Sequence, residues 1–247
     1  MPPRVVIIAA LEREVPLLVK LWRRVEHEHE GQRFRFFEGP FAALVCGGIG
    51  PVFARRATEA AIALYQPVLV ISAGFAGALV PELKAGDAIF PELVVDAQDG
   101  SCAKTIVKET KVGQMKAGQG VLVSFPSPAD REQKARLAAA FDARAVDMEA
   151  AAIARGAETH GIPFLAAKTI SDEMNLDLPP MNQFIGEDGG FDTLRFMIHV
   201  APRIWLWPRV LRLARNSHLA ARNLSLWLGN DVLWTSMTLR LFAKLES

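Results

Sequence analysis

Cysteine is almost missing from this chain of 247 residues: Cys46 sits in an apolar run, Cys102 in a polar stretch, and neither has metal-ligand spacing around it. A disulfide framework and a cysteine-built metal centre are therefore excluded, and a reduced, cytoplasmic protein without metal or cofactor is the economical expectation. Net charge is nearly missing too. With 28 Lys and Arg against 27 Asp and Glu, the formal charge of +1 argues against a general binder of nucleic acid. No apolar segment is long enough to span a bilayer, because Pro and Arg interrupt every candidate. The run Val5-Val6-Ile7-Ile8-Ala9-Ala10 is followed at once by Glu12, Arg13 and Glu14, so it reads as a strand rather than a secretory signal. The spacings of a Walker A loop and of the dinucleotide fingerprint are absent, which points away from ATP and NAD.

What is present is the composition of a large α/β protein, 51% hydrophobic and 22% charged, able to bury a sizeable core. Residues 5–9 are a β-branched run, as expected of a strand covered on both faces, and a helix is expected over residues 12–24. Residues 34–38 and 42–46 suggest a hairpin around Gly39-Pro40, and the Gly47 to Gly50 turn leads into a helix opened by Pro51. Residues 68–72 form another buried run, followed by Gly74-Phe75-Ala76-Gly77, which reads as a strand-to-helix turn. Further strands are expected within 85–91, 93–96, 120–124 and 164–170, and a helix from about Asp147 to the Gly161 cap. Alternating strands and helices imply a mainly parallel, mixed central sheet with helices on both faces. The boundary expected from the sequence divides a domain at residues 1–190 from a helical extension at residues 191–247.

Ligands of such sheets bind beyond the carboxyl ends of the strands. Glu14, the two glycine turns, the segment Met148-Glu149 and Asp172 all fall at such ends. Each has a plain reading beside the functional one. Glu14 suits the positive end of a helix, Asp172 a helix cap, Met148 a core, and the glycines any tight turn. Glu149 is harder to set aside, because the Ala-rich run behind it packs close in a way a solvated face does not need.

In order along the chain, Ile8-Ala9-Ala10-Leu11-Glu12-Arg13-Glu14-Val15, Gly48-Ile49-Gly50, Ser72-Ala73-Gly74-Phe75-Ala76-Gly77-Ala78-Leu79, Lys84-Ala85-Gly86-Asp87, Val146-Asp147-Met148-Glu149-Ala150-Ala151-Ala152 and Thr169-Ile170-Ser171-Asp172 resemble the nucleoside phosphorylase superfamily. The resemblance is strongest to its methylthioadenosine/S-adenosylhomocysteine nucleosidase branch. It implies cleavage of a purine N-glycosidic bond. Asp172, beside Ser171, would protonate N7 of adenine, Glu149 would accept the ribose diol, and Met148 would lie under the sugar. Glu14 would orient the attacking water, and Gly77 would touch the base through its backbone. A purine nucleoside phosphorylase and a non-catalytic nucleoside-binding module are the alternatives within this fold.

Phosphorylases of the superfamily place an arginine just before the glycine turn, where this chain has Ser72, so phosphate loses a bidentate anchor and water is the expected nucleophile. Arg55 and Arg56 would substitute only if they pointed inward. Two positions depart from the nucleosidases: Phe75 stands for a serine and Lys168 for an arginine, both at the water and ribose end. The base-stacking segment falls within residues 123–130 without an assignable residue.

The nucleosidases end one helix beyond the Ser-Asp motif, whereas this chain runs on to residue 247. Residues 195–247 hold eight Lys and Arg against Asp231 and Glu246, a net of +6 that leaves −5 for residues 1–194. Val210, Leu213, Ala214, Ala220, Ala221, Leu224, Trp227 and Leu228 share one arc of a helix, with Arg212, Arg215, His218 and Arg222 opposite. Together with Trp205 and Trp207 this suggests either packing on the domain or peripheral contact with the inner membrane face through residues 196–228. The tail is similar to that of hopanoid-associated nucleosidases, which implies a lipid-linked, adenosylhopane-like substrate. A homo-oligomer is also expected.

Overall fold

A computed structural model describes residues 5–106, 120–176 and 181–229. β1 (Val5–Ala9) is followed by a short 3-10 turn, Glu12–Glu14, and by α1 (Pro16–Leu21). The expected helix over residues 12–24 is therefore not continuous. Pro16 has no N–H to give and starts a new helix, and from Arg23 the chain enters β2 (Arg23–His29), which pairs antiparallel with β3 (Gln32–Glu38). Charges alternate along this edge strand, so its hydrophobic period is faint. β4 (Ala42–Cys46) pairs antiparallel with β3, as the hairpin reading expected, and α2 (Pro51–Tyr65) begins at Pro51.

β5 (Leu69–Ala78) is the centre of the molecule, pairing with β1, β10 (Ala143–Asp147) and β11 (Phe164–Asp172). It corrects the expected turn at residues 74–77, because the strand runs straight through its glycines while β11 pairs beside it. Between β5 and β10 lie β6 (Ala88–Ile89), β7 (Leu93–Asp96), β8 (Cys102–Lys104), β9 (Val121–Ser124) and α3 (Arg131–Phe141). A second correction concerns Asp147, which ends β10 instead of opening a helix. The helix α4 (Ala150–Thr159) starts only after Glu149, its N-cap residue.

The sheet order is β2-β3-β4-β1-β5-β10-β9-β7-β8, with β11 pairing β5 and β6, so parallel and antiparallel ladders mix as the fold class required. Alternate residues of β1 feed two layers. Val6 and Ile8 pack with Ala57, Ile62, Ile153 and Ala154 of α2 and α4, while Val5 and Ile7 pack with the opposite cluster. That second cluster includes Leu18 of α1 and Leu224, Trp227 and Leu228 of α6 (Trp207–Leu228), which follows α5 (Thr193–Val200). Among the described residues no helix is long and apolar enough to cross a membrane.

Candidate active site

The carboxyl ends of β1, β5, β10 and β11 open on one cavity of about 360 Å³. Glu14, Phe75, Gly77, Met148, Glu149, Ser171 and Asp172 all line it. Lys168 is one layer behind, on β11 opposite Gly74 of β5. Glycine is needed in β5 for a reason other than a turn. A Cβ on Gly77 would lie 2.7 Å from Asp172 Oδ2, and one on Gly74 would lie 2.9 Å from Glu14 Oε2, so the bare backbone lets carboxylates cross the strand face.

Three carboxylates gather around one ammonium. Lys168 is 1% exposed and its Nζ is 2.8 Å from Asp147 Oδ2. Asp147 also accepts from the Ser124 hydroxyl at 2.6 Å and the Ala150 N–H at 2.9 Å. Glu149 accepts from the Gly50 N–H at 2.8 Å, which ties the turn after β4 to the start of α4. Glu14 accepts from the Ala10 N–H at 3.3 Å. Burial pushes Glu149 up to about 8, and Asp147 and Glu14 add to that against the opposing pull of Lys168. Burial likewise raises Glu14, outweighing Lys168 and Arg13. Burial works against charge on Lys168, but Asp147 and Glu149 hold its ammonium above the ordinary lysine range.

Asp172 has a separate set of partners. Its Oδ1 accepts from the Ser171 hydroxyl at 2.8 Å, and its Oδ2 meets Lys134 Nζ in a buried ion pair. Lys134 Nζ also donates to the Glu173 carbonyl at 3.1 Å. The carboxyl is thus buried, and it shares its site with an ammonium that nothing in the sequence announced. Lys134 lies on α3 and looks like any solvated helical lysine. Asp147 carried a better signal, since it immediately precedes Met148-Glu149. Ser127, Pro128 and Ala129, from the stretch that could not be assigned residue by residue, also line the cavity.

The remaining wall is apolar and comes from the C-terminal part of the chain: Met181, Ile185, Phe191, Met197, Val210 and Leu213. α6 thus divides its apolar arc. Val210, Leu213 and Ala214 face the cavity, and Ala220, Ala221, Leu224, Trp227 and Leu228 are buried against the sheet. The protein itself therefore covers the last turns of that arc, while its first half stays half-buried or exposed at the cavity. Other apolar residues of the same C-terminal part are exposed: Ile198, Ile204, Trp205, Trp207 and Leu211. Arg55 and Arg56 are solvent-facing on α2, and Ser72 is buried away from the cavity. Among the described residues, no group of three or more His, Cys, Asp and Glu side chains could hold a metal ion.

The fold and the cavity define an α/β protein with an acidic, partly enclosed small-molecule site. A family model described as the phosphorylase superfamily matches residues 4–131 and 97–189. The chain is 31% identical over 201 residues to the 5'-methylthioadenosine/S-adenosylhomocysteine nucleosidase of Listeria monocytogenes serovar 1/2a, covering 68% of this chain and 86% of that relative. A protein of the same name from Marinomonas sp. strain MWYL1 is 28% identical over 204 residues, covering 70% and 87%. This chain belongs to the phosphorylase superfamily. Its fold is similar to the Neisseria meningitidis 5'-methylthioadenosine/S-adenosylhomocysteine nucleosidase solved with methylthio-immucillin-A, with TM-score 0.66 and 20% identity over 90% of this chain and 94% of that one. It is also similar to futalosine hydrolase of Helicobacter pylori strain 26695, with TM-score 0.64 and 18% identity over 91% and 96% of the two chains.

Proposed function

We propose that this chain is a nucleosidase that hydrolyses the N-glycosidic bond of an adenosine bearing an apolar 5′ group and releases adenine. The carrying observation is that Glu14, Glu149 and Asp172, from separate strand ends, meet in one cavity whose other wall is apolar. Asp172 gives a proton to N7, so the base leaves neutral as the C1′–N9 bond breaks. Glu149 receives the ribose diol, Met148 lies under the sugar, and the Gly77 backbone meets the base. Glu14 orients the water that attacks C1′. The carboxylates stabilise the positive charge growing on the ribose in a site with little water. Lys168 acts from behind by holding Asp147, and Phe75 faces the sugar end. Water is favoured over phosphate because Ser72, Arg55 and Arg56 are all turned away from the cavity.

Asp172→Asn should lower adenine release by about two to four orders of magnitude. An Asn variant with near wild-type turnover would remove Asp172 from this role. In phosphate buffer the sugar product should be the free ribosyl compound; a 1-phosphate product whose rate saturates with phosphate would make the enzyme a phosphorylase.

The finer reading is a lipid-linked, adenosylhopane-like substrate. It is supported by the apolar wall and by the exposed Ile198, Ile204, Trp205, Trp207 and Leu211 of the same C-terminal part of the chain. Those residues, rather than the buried last turns of α6, are the surface that would touch a bilayer, with Arg215 and Arg222 exposed on α6. Adenine release should be faster from an adenosyl-lipid in anionic vesicles than from methylthioadenosine, and Trp205→Ala with Trp207→Ala should abolish vesicle cosedimentation. Equal rates on all substrates, or no cosedimentation by the wild type, would restrict the reading to small 5′ groups.

A further inference from the structure

Lys134 lines the cavity and has no part in the reading above. Its side chain is 1% exposed, which is costly for an ammonium unless its charge and its hydrogens find partners. They do. Nζ meets Asp172 Oδ2 and donates to the Glu173 carbonyl, and the stem passes close to Gly77, where a Cβ would lie 3.1 Å from Lys134 Cε.

The position is fixed from the helix. Asp130 caps α3 by accepting from the Gln133 N–H at 2.8 Å, and Gln133 returns the bond to the Asp130 N–H at 2.9 Å. Lys134 follows at once, one turn into a helix whose start is set by that capping box. Across the cavity, Asp172 has only donors as side-chain partners among the described residues: the Ser171 hydroxyl and the Lys134 ammonium. Of these, only the ammonium carries a proton it can release and leave a neutral group behind. The neighbouring Glu173 carboxylate is engaged by Arg212 at 3.0 Å, while Glu14 and Glu149 line the cavity elsewhere and Lys168 lies one layer behind.

We propose that Lys134 is the positioning residue that loads Asp172 with the proton delivered to the departing base. This rests on the nucleosidase reading above. In the step, a proton moves from Lys134 Nζ to Asp172, and the Asp172 O–H gives its proton to N7. The C1′–N9 bond breaks with its electron pair going to the base, water oxygen bonds to C1′, and the water proton goes to the Glu14 carboxylate. Lys134 is then neutral and Glu14 protonated, and exchange of one proton through solvent restores both.

The test compares Lys134→Arg and Lys134→Ala with the wild type on two leaving groups attached to 5-methylthioribose: adenine, and 4-nitrophenolate, which departs without a proton. Lys134→Arg keeps the cation but holds its proton, so it isolates proton supply from the ion pair. Both variants should lose about a hundredfold or more in kcat for adenine release, the usual worth of acid catalysis, with less than about tenfold in KM. They should stay within about threefold of wild type on the nitrophenyl substrate, and added ethylamine should restore adenine release by Lys134→Ala. If Lys134→Ala does not fold, the arginine variant alone decides the matter. Near wild-type adenine release by Lys134→Arg, or an equal loss on both leaving groups, overturns the proposal. Loss of adenine release in Asp172→Asn but not in Lys134→Arg would strike this inference alone, whereas a wild-type enzyme that releases no adenine would overturn both.

Discussion

Glu149 has its carboxyl raised by burial, with Asp147 and Glu14 adding to the rise against the pull of Lys168. Its folded value of about 8 lies above the ordinary 4.5, so between those two pH values the unfolded chain binds fewer protons than the native one. Stability must therefore fall as pH rises across that window, by at most about 1.4 kcal/mol per unit from this group, and level off above it. Glu149→Gln should remove that slope: urea unfolding at pH 5, 6.5 and 8 should show the variant gaining on the wild type at each step. Parallel profiles would mean that the carboxyl is solvated. Lys168→Met should be far more damaging, because it strands Asp147 in the core; a loss of about 3–5 kcal/mol is expected from breaking a buried pair on one side. Gly77→Ala has a different signature. Its Cβ would push into Asp172 and Lys134, so activity should collapse in a protein that still folds, as read by adenine release against circular dichroism.

Among the elements, α3 shows what a sequence hides. Asp130-Arg131-Glu132-Gln133 is a capping box before an undistinguished polar helix, and no hydrophobic period pulls it out of the background. Asp130→Ala should cost about 0.5–2 kcal/mol and loosen the start of the helix that carries Lys134. The all-buried β1, the β3–β4 hairpin and the Pro51 helix start were legible because each is written locally, in a β-branched run, a Gly-Pro turn or a first-turn proline. β2 was not, because its exposed edge carries alternating charge and its partner is what makes it a strand. The glycines of β5 misled for a related reason. Space for Glu14 and Asp172 is a three-dimensional demand, and in one dimension it looks like a turn. The candidate carboxylates could be named because they sit at the ends of apolar runs; Lys134 could not, because its partner is 38 residues away.

At the scale of the whole molecule, α6 belongs to two places at once. Its first half faces the cavity through Val210, Leu213 and Ala214, and its last turns are buried under β1, β5 and β11 through Leu224, Trp227 and Leu228. Leu224→Ala should therefore cost about 2–5 kcal/mol in chemical denaturation even though it lies outside the cavity. The core end clamps the helix in rotation as well as in place. Each residue of an α-helix turns the following side chain by about 100°, so the number of residues between Ala214 and Ala220 acts as a gear setting that fixes which side chains look into the cavity. A single residue inserted there would leave the clamped end seated and swing the adjacent flank, with Leu211 and Arg215, toward the cavity. The apolar wall of the cavity can be retuned by substitution, but not by a change of length.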